Sequence, residues 1–244
     1  MSTVLSPPLE VYLLGLVDFD EAQSLQRRLV YDLGESRAAG ALVLCEHPPT
    51  ISIGRSGSRA HVAADDVELH RHGIDVRWVN RGGGTLLHLP GQLNAYLALD
   101  LSRAGLDLRG YLDGLHRAAV AVVNEFGLKG EAHPKAAGVF AGNARVASIG
   151  VAVRRWIAYH GLTINVGPFL EPFQLIDEPG PDGSRLRQTS LEAQRQRAAP
   201  MPKVRESLIR HLESTFGLTR HHVFTDHPMI RRKARLHAYA QSLG

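Results

Sequence analysis

The chain is predicted to fold as α+β, with a mixed, mostly antiparallel sheet and flanking helices. Three observations carry that expectation. Helix-like and strand-like hydrophobic patterns follow one another irregularly, not in regular βαβ alternation. Strand patterns over residues 138–141 and 145–153 flank the turn pair Gly142-Asn143, as in a hairpin. No internal repeat or low-complexity tract divides the 244 residues, a length that suits one domain with a full core.

In chain order, Ala22, Leu25, Leu29 and Leu33 recur near the helical period, so residues 20–39 are expected to form a helix. Residues 41–45 form an apolar strand pattern closed by Glu46-His47-Pro48-Pro49, and Ile51 and Ile53 lead into the turn Gly54-Arg55-Ser56-Gly57. A short polar helix is expected at 65–72 and a strand at 75–79. A glycine loop, Arg81-Gly82-Gly83-Gly84, separates that strand from a second one at 93–101. Leu112, Leu115, Ala119, Val122 and Val123 place a long helix over 108–126. Beyond the hairpin come a strand at 159–166, a helical start at 188–191 and an amphipathic helix at 204–216 stopped by Gly217. The division into units is expected at 1–220 for the body and 221–244 for a basic extension, read as a solvated terminal helix carrying Arg231, Arg232, Lys233 and Arg235.

Composition narrows the function classes. Hydrophobic residues make up 44% and charged ones 21%, an ordinary globular balance. No secretory leader pattern and no run of ~20 apolar residues is visible, so a cytoplasmic, non-membrane protein is expected. One cysteine, Cys45, excludes an internal disulfide and a thiolate zinc cluster. The histidines lack metal-ligand companions, so no metal is expected. The net charge of +4 attracts acidic partners, but no nucleic-acid reader motif is present.

The most informative segment is 80–92. Three glycines let the main chain approach a ligand and aim its N–H groups into a cavity, while Arg81 adds a fixed charge and His88 a titratable ring. Taken with four other segments, it resembles the octanoyltransferase family of lipoate biosynthesis. The matching runs are Glu46-His47-Pro48-Pro49 with Gly54-Arg55, then Arg81-Gly82-Gly83 with His88-Leu89-Pro90-Gly91-Gln92, then Ala147-Ser148-Ile149-Gly150-Val151, then 159–166, and last Thr189-Ser190-Leu191. Their order spans residues 41–217. The resemblance implies one domain of the biotin and lipoate protein ligase type. It further implies transfer of octanoyl from an acyl carrier protein to a lysine on lipoyl domains of 2-oxoacid dehydrogenase or glycine cleavage proteins, without a cofactor. By the same resemblance Arg81, Gly82, Gly83, Gly84, Thr85, Leu86, Leu87, His88, Ser148, Ile149, Gly150, Gly161, Leu162 and Thr163 line the acyl pocket.

Two positions depart from that family. Its acyl-cysteine segment corresponds to Ile176-Asp177-Glu178-Pro179-Gly180, which puts Pro179, a side chain without a nucleophilic atom, at the nucleophile's place. Its partner lysine corresponds to Arg145, which keeps the charge but does not exchange a proton at neutral pH. Cys45 lies in an apolar strand, where a buried, inert thiol is the rule. Asp177 and Glu178 are candidate bases for direct attack by an amine, and His88 and His160 are the remaining polar candidates. Three readings stay open: transfer by a modified route, a non-catalytic binder of octanoyl or lipoyl groups or their carrier domains, and an ATP-dependent lipoate ligase. Against the last stand the missing lysine and the lack of a Gly-Lys-Ser/Thr phosphate loop.

Overall fold

A computed structural model describes residues 8–35, 38–133, 136–180 and 182–230. Eight strands form one sheet in the order β11-β1-β2-β6-β10-β9-β8-β7. They are β1 (Leu9–Leu16), β2 (Gly40–Glu46), β6 (Gln92–Asp100), β7 (Gly130–Ala132), β8 (Gly138–Ala141), β9 (Ala144–Arg154), β10 (Ile157–Asn165) and β11 (His221–Phe224). Within this sheet only the β1–β2 and β1–β11 pairs are parallel. A smaller sheet, ordered β4-β3-β5, joins β3 (Thr50–Ile53), β4 (Asp75–Trp78) and β5 (Thr85–His88). Among the described residues no helix is long and apolar enough to cross a membrane.

The large sheet is covered on both faces, so its central strands lack alternation. In β2, Leu42 and Leu44 pack into one core with α3 (Leu108–Glu125) and α5 (Met201–Phe216), while Ala41, Val43 and Cys45 face α1 (Phe19–Glu35) in another. Each helix turns its apolar stripe to the sheet: Leu115, Ala118, Val122 on α3 and Ala22, Leu25, Leu29 on α1 are all buried. The small sheet has its own core around Ile51, Ile53 and Leu87, joined by Leu69 of α2 (Asp66–Arg71). The side-chain oxygens of Asp65, Asp107 and Ser190 accept main-chain N–H bonds at the starts of α2, α3 and α4 (Leu191–Arg195).

The structure revises several expectations. The first helix ends at Glu35, because Gly40 already begins β2. The glycine loop does not run on to the next strand; Thr85–His88 pairs antiparallel with Thr50–Ile53 first. The first residues past position 220 are extended and not helical. His221–Phe224 is a strand that pairs with β1 and stacks Phe224 on Tyr12 at 5.1 Å, not the start of a solvated helix. Residues 231–244, with the basic cluster, lie outside the described residues.

Candidate functional site

A cavity of about 390 Å³ opens where the glycine loop faces β9 and β10. The loop is laced in place from both sides. Gly54 N–H donates to Gly84 O (3.0 Å), Arg55 N–H to Arg81 O (3.0 Å) and Ser56 N–H to Gly83 O (3.1 Å). On the other side Gly82 N–H donates to Val151 O at 2.8 Å. A side chain at Gly150 would strike Gly82 O, and one at Gly54 would strike the Arg81 guanidinium, so close approach explains both glycines. Among the described residues the N–H groups of Gly83 and Gly84 have no protein acceptor, and both residues line the cavity.

Arg81 braces this loop and does not present its charge to a ligand. Nη1 donates to Gly82 O and Gly84 O, and Nη2 to Ser52 O and Ser52 Oγ, all at 2.7–3.1 Å. Burial lowers its pKa to about 10. His88 is locked in the same network. Ser52 Oγ accepts from Arg81, so its hydroxyl proton is free to reach His88 Nε2 at 2.9 Å. His88 Nδ1–H then donates to Asn94 Oδ1 at 3.0 Å, which also accepts from Thr163 Oγ1 at 2.8 Å. Both ring nitrogens are occupied, and burial holds the ring neutral, well below its usual pKa. His88 therefore borders the cavity with both ring nitrogens already spent on Ser52 and Asn94. His47 beneath it is equally fixed. Its Nδ1–H donates to Val17 O at 2.7 Å, and Nε2 accepts from Tyr96 Oη at 2.7 Å. Burial lowers its pKa to about 4.

His160 is different. It adopts φ +62° in the middle of β10, a conformation costing on the order of 1–3 kcal/mol for a non-glycine residue. Its N–H leaves the β6 ladder and donates to Gln26 Oε1 on α1 at 3.0 Å. Gly161 follows, at a place where any Cβ would collide with Ala95 O. The kink turns the imidazole into the cavity wall, where it stacks on Tyr159 at 4.9 Å and reaches Asn80 Oδ1 through Nε2 at 3.3 Å. Burial lowers its pKa to about 3, so it is a neutral lining group at ordinary pH.

The opposite end of the cavity holds an ion pair. Arg145 and Val151 are six residues apart on β9, roughly 20 Å at ~3.3 Å per residue. Arg145 Nη2 donates to Glu178 Oε2 at 3.1 Å, with the two side chains only 8% and 12% exposed. Gln188, with its amide oxygen turned inward, accepts from Nη2 at 2.8 Å and Nε at 3.3 Å. Nη1 has no protein partner among the described residues. The main chain is fixed as well: Arg145 N–H donates to Arg187 O and Thr189 N–H to Arg145 O, each at 2.9 Å. Burial lowers the Arg145 pKa, and the Glu178 charge partly restores it.

Of the residues named from sequence, Arg81, Gly83, Gly84, Thr85, Leu86, His88, Ser148, Ile149, Gly150, Gly161, Leu162 and Thr163 line the cavity, with Arg145, His160, Glu178 and Pro179. Gly82 and Leu87 do not: Gly82 is spent on Val151, and Leu87 packs into the small sheet's core. Asp177 is corrected too. Its side chain is 64% exposed, 3.7 Å from Arg185, and it does not line the cavity. Cys45 is fully buried under α1, 3.6 Å from His47 Nε2, and burial pushes its thiol pKa up. Residues not singled out from sequence include Ser52, Asn94 and Gln188, which fix His88 and Arg145, and Phe19, Gln23 and Tyr96 at the His160 end. The alternation around Ile51 and Leu93 signalled strands, and a polar side chain inside each was the available cue.

Residues 18–213 match the family described as lipoyl protein ligase A/B catalytic domain. An octanoyltransferase of Geotalea uraniireducens is 40% identical over 181 residues, 74% of this chain and 80% of that protein. One from Syntrophobacter fumaroxidans is 36% identical over 203 residues, 83% and 88% of the two chains. In fold, the chain is similar to a bipartite lipoate protein ligase from Thermoplasma acidophilum, at TM-score 0.71 and 17% identity over 90% of this chain and 88% of that one.

Proposed function

This chain belongs to the octanoyltransferase family, within the lipoyl protein ligase A/B catalytic group, and from that premise we propose that it passes an octanoyl group from a carrier thioester directly to a lysine amine. The observation that carries this reading is a formed cavity with no thiol in its described lining: Pro179 lines the wall, and the sole cysteine is buried elsewhere. The apolar walls of Leu86, Ile149 and Leu162 suit a straight acyl tail, at about 0.8 kcal/mol per buried CH₂.

In this mechanism the thioester carbonyl rests against Arg145 Nη1 and the unpaired N–H groups of Gly83 and Gly84, donors that strengthen as the oxygen gains charge. The lysine nitrogen attacks the carbonyl carbon. The C–N bond forms as the C–S bond breaks, and the amine proton travels by way of the Glu178 carboxylate to the departing thiolate. Donor and acceptor are an acyl carrier protein and a lipoyl domain. A second reading, a non-catalytic binder, is favoured by one observation: Glu178 is already engaged by Arg145.

The test mixes the purified chain with octanoyl-carrier thioester and an apo-lipoyl domain, without ATP, and weighs the domain. The expected result is a mass gain of one octanoyl group. Binding of the thioester without any gain establishes the non-catalytic binder, and gain only with ATP and free octanoate establishes a ligase. Either overturns the proposal.

A further inference from the structure

Glu178 departs from its surroundings in a specific way. It is a carboxylate in an acyl cavity, and both of its oxygens are committed to positions where a ligand's anionic head would sit. Oε2 is 3.1 Å from Arg145 Nη2. Oε1 lies so close over Gly84 that a Cβ there would collide with it. The carboxylate thus covers one side of the glycine loop and takes a terminal donor of Arg145, the one cavity-lining guanidinium among the described residues with a terminal nitrogen left unpaired. Arg81 offers no substitute, since its four terminal N–H groups all go to Ser52, Gly82 and Gly84. The segment holding Glu178 is itself tied down: Leu186 N–H donates to Glu178 O at 2.9 Å, and Asp177 N–H to His61 O at 2.7 Å.

We infer that Glu178 is a specificity-determining residue: its buried carboxylate excludes free carboxylic acids, so the cavity accepts acyl groups only in uncharged form, as thioesters, esters or amides. This rests on the reading of the cavity as an acyl site. An incoming carboxylate meets Arg145 with one terminal nitrogen already spent and a like charge beside it, in a site where water screens poorly. A carbonyl oxygen needs only Nη1 and carries no net charge to be repelled. Removing the Glu178 charge lifts that repulsion and leaves the Arg145 cation uncompensated, so it attracts a carboxylate instead.

Calorimetric titration with octanoate and octanamide at pH 8 tests this on the full chain. The wild-type protein is expected to bind octanoate at least ~10-fold more weakly than octanamide, and Glu178→Gln to raise octanoate affinity by at least ~10-fold. Octanamide affinity is expected to change little between the two proteins. Equal wild-type affinities, or an unchanged ratio in Glu178→Gln, overturn the inference. Should Glu178→Gln not fold, the wild-type ratio decides alone. Failure of octanamide itself to bind the wild-type protein overturns the acyl-site reading, an outcome distinct from the other two.

Discussion

Replacing Arg145 by Met is expected to abolish octanoyl transfer and to lower the unfolding free energy by about 3–5 kcal/mol, the cost of leaving a buried charge uncompensated. The Glu178 carboxylate is 12% exposed, with Arg145 as its ion-pair partner. The shape change is small, since Met follows most of the arginine stem, so the loss reports charge and not volume. Urea denaturation at pH 7 measures it. The double variant Arg145→Met/Glu178→Leu is expected to regain most of the stability without regaining transfer, because no buried charge is then left alone. A loss under ~1 kcal/mol in Arg145→Met means that water reaches Glu178 and the pair is no structural element.

Acid is expected to unfold the protein well above the range in which exposed carboxylates titrate, because three cavity-side histidines are held neutral. Burial depresses His47 to about 4, His160 to about 3 and His88 further below its ordinary value. The unfolded chain takes up these protons near pH 6.5, whereas the folded chain does not. The unfolded state therefore binds more protons below pH 6.5, and stability is full above that pH and falls as pH drops toward the folded values. Each histidine contributes a slope of up to ~1.4 kcal/mol per pH unit, so from pH 6.5 to 4 His47 alone costs about 3 kcal/mol. Unfolding midpoints at pH 7, 6 and 5 measure the slope. A flat profile over that range contradicts locked, neutral rings.

Local pattern carried the central strands and the helices, because their signals lie within a dozen residues. It did not carry β5, whose partner Thr50–Ile53 stands some thirty residues earlier, nor β11, four exposed residues that pair with β1 at the sheet's edge from across most of the chain. For the site, motif positions named most of the cavity wall. They did not reveal that the polar atoms of Arg81 and His88 are spent on the scaffold, since that depends on Ser52 and Asn94 brought from two other strands. Arg145 and Glu178 were each visible as departures. That they touch, and so form one chemical unit, required the fold, because 33 residues separate them.

The most direct measurement is the intact mass of the chain itself, acid-quenched during steady-state transfer from octanoyl-carrier thioester to a lipoyl domain. One-step transfer requires the chain to stay unmodified while the domain gains octanoyl. An octanoyl group found covalently on the chain, on Cys45 or any other residue, contradicts it.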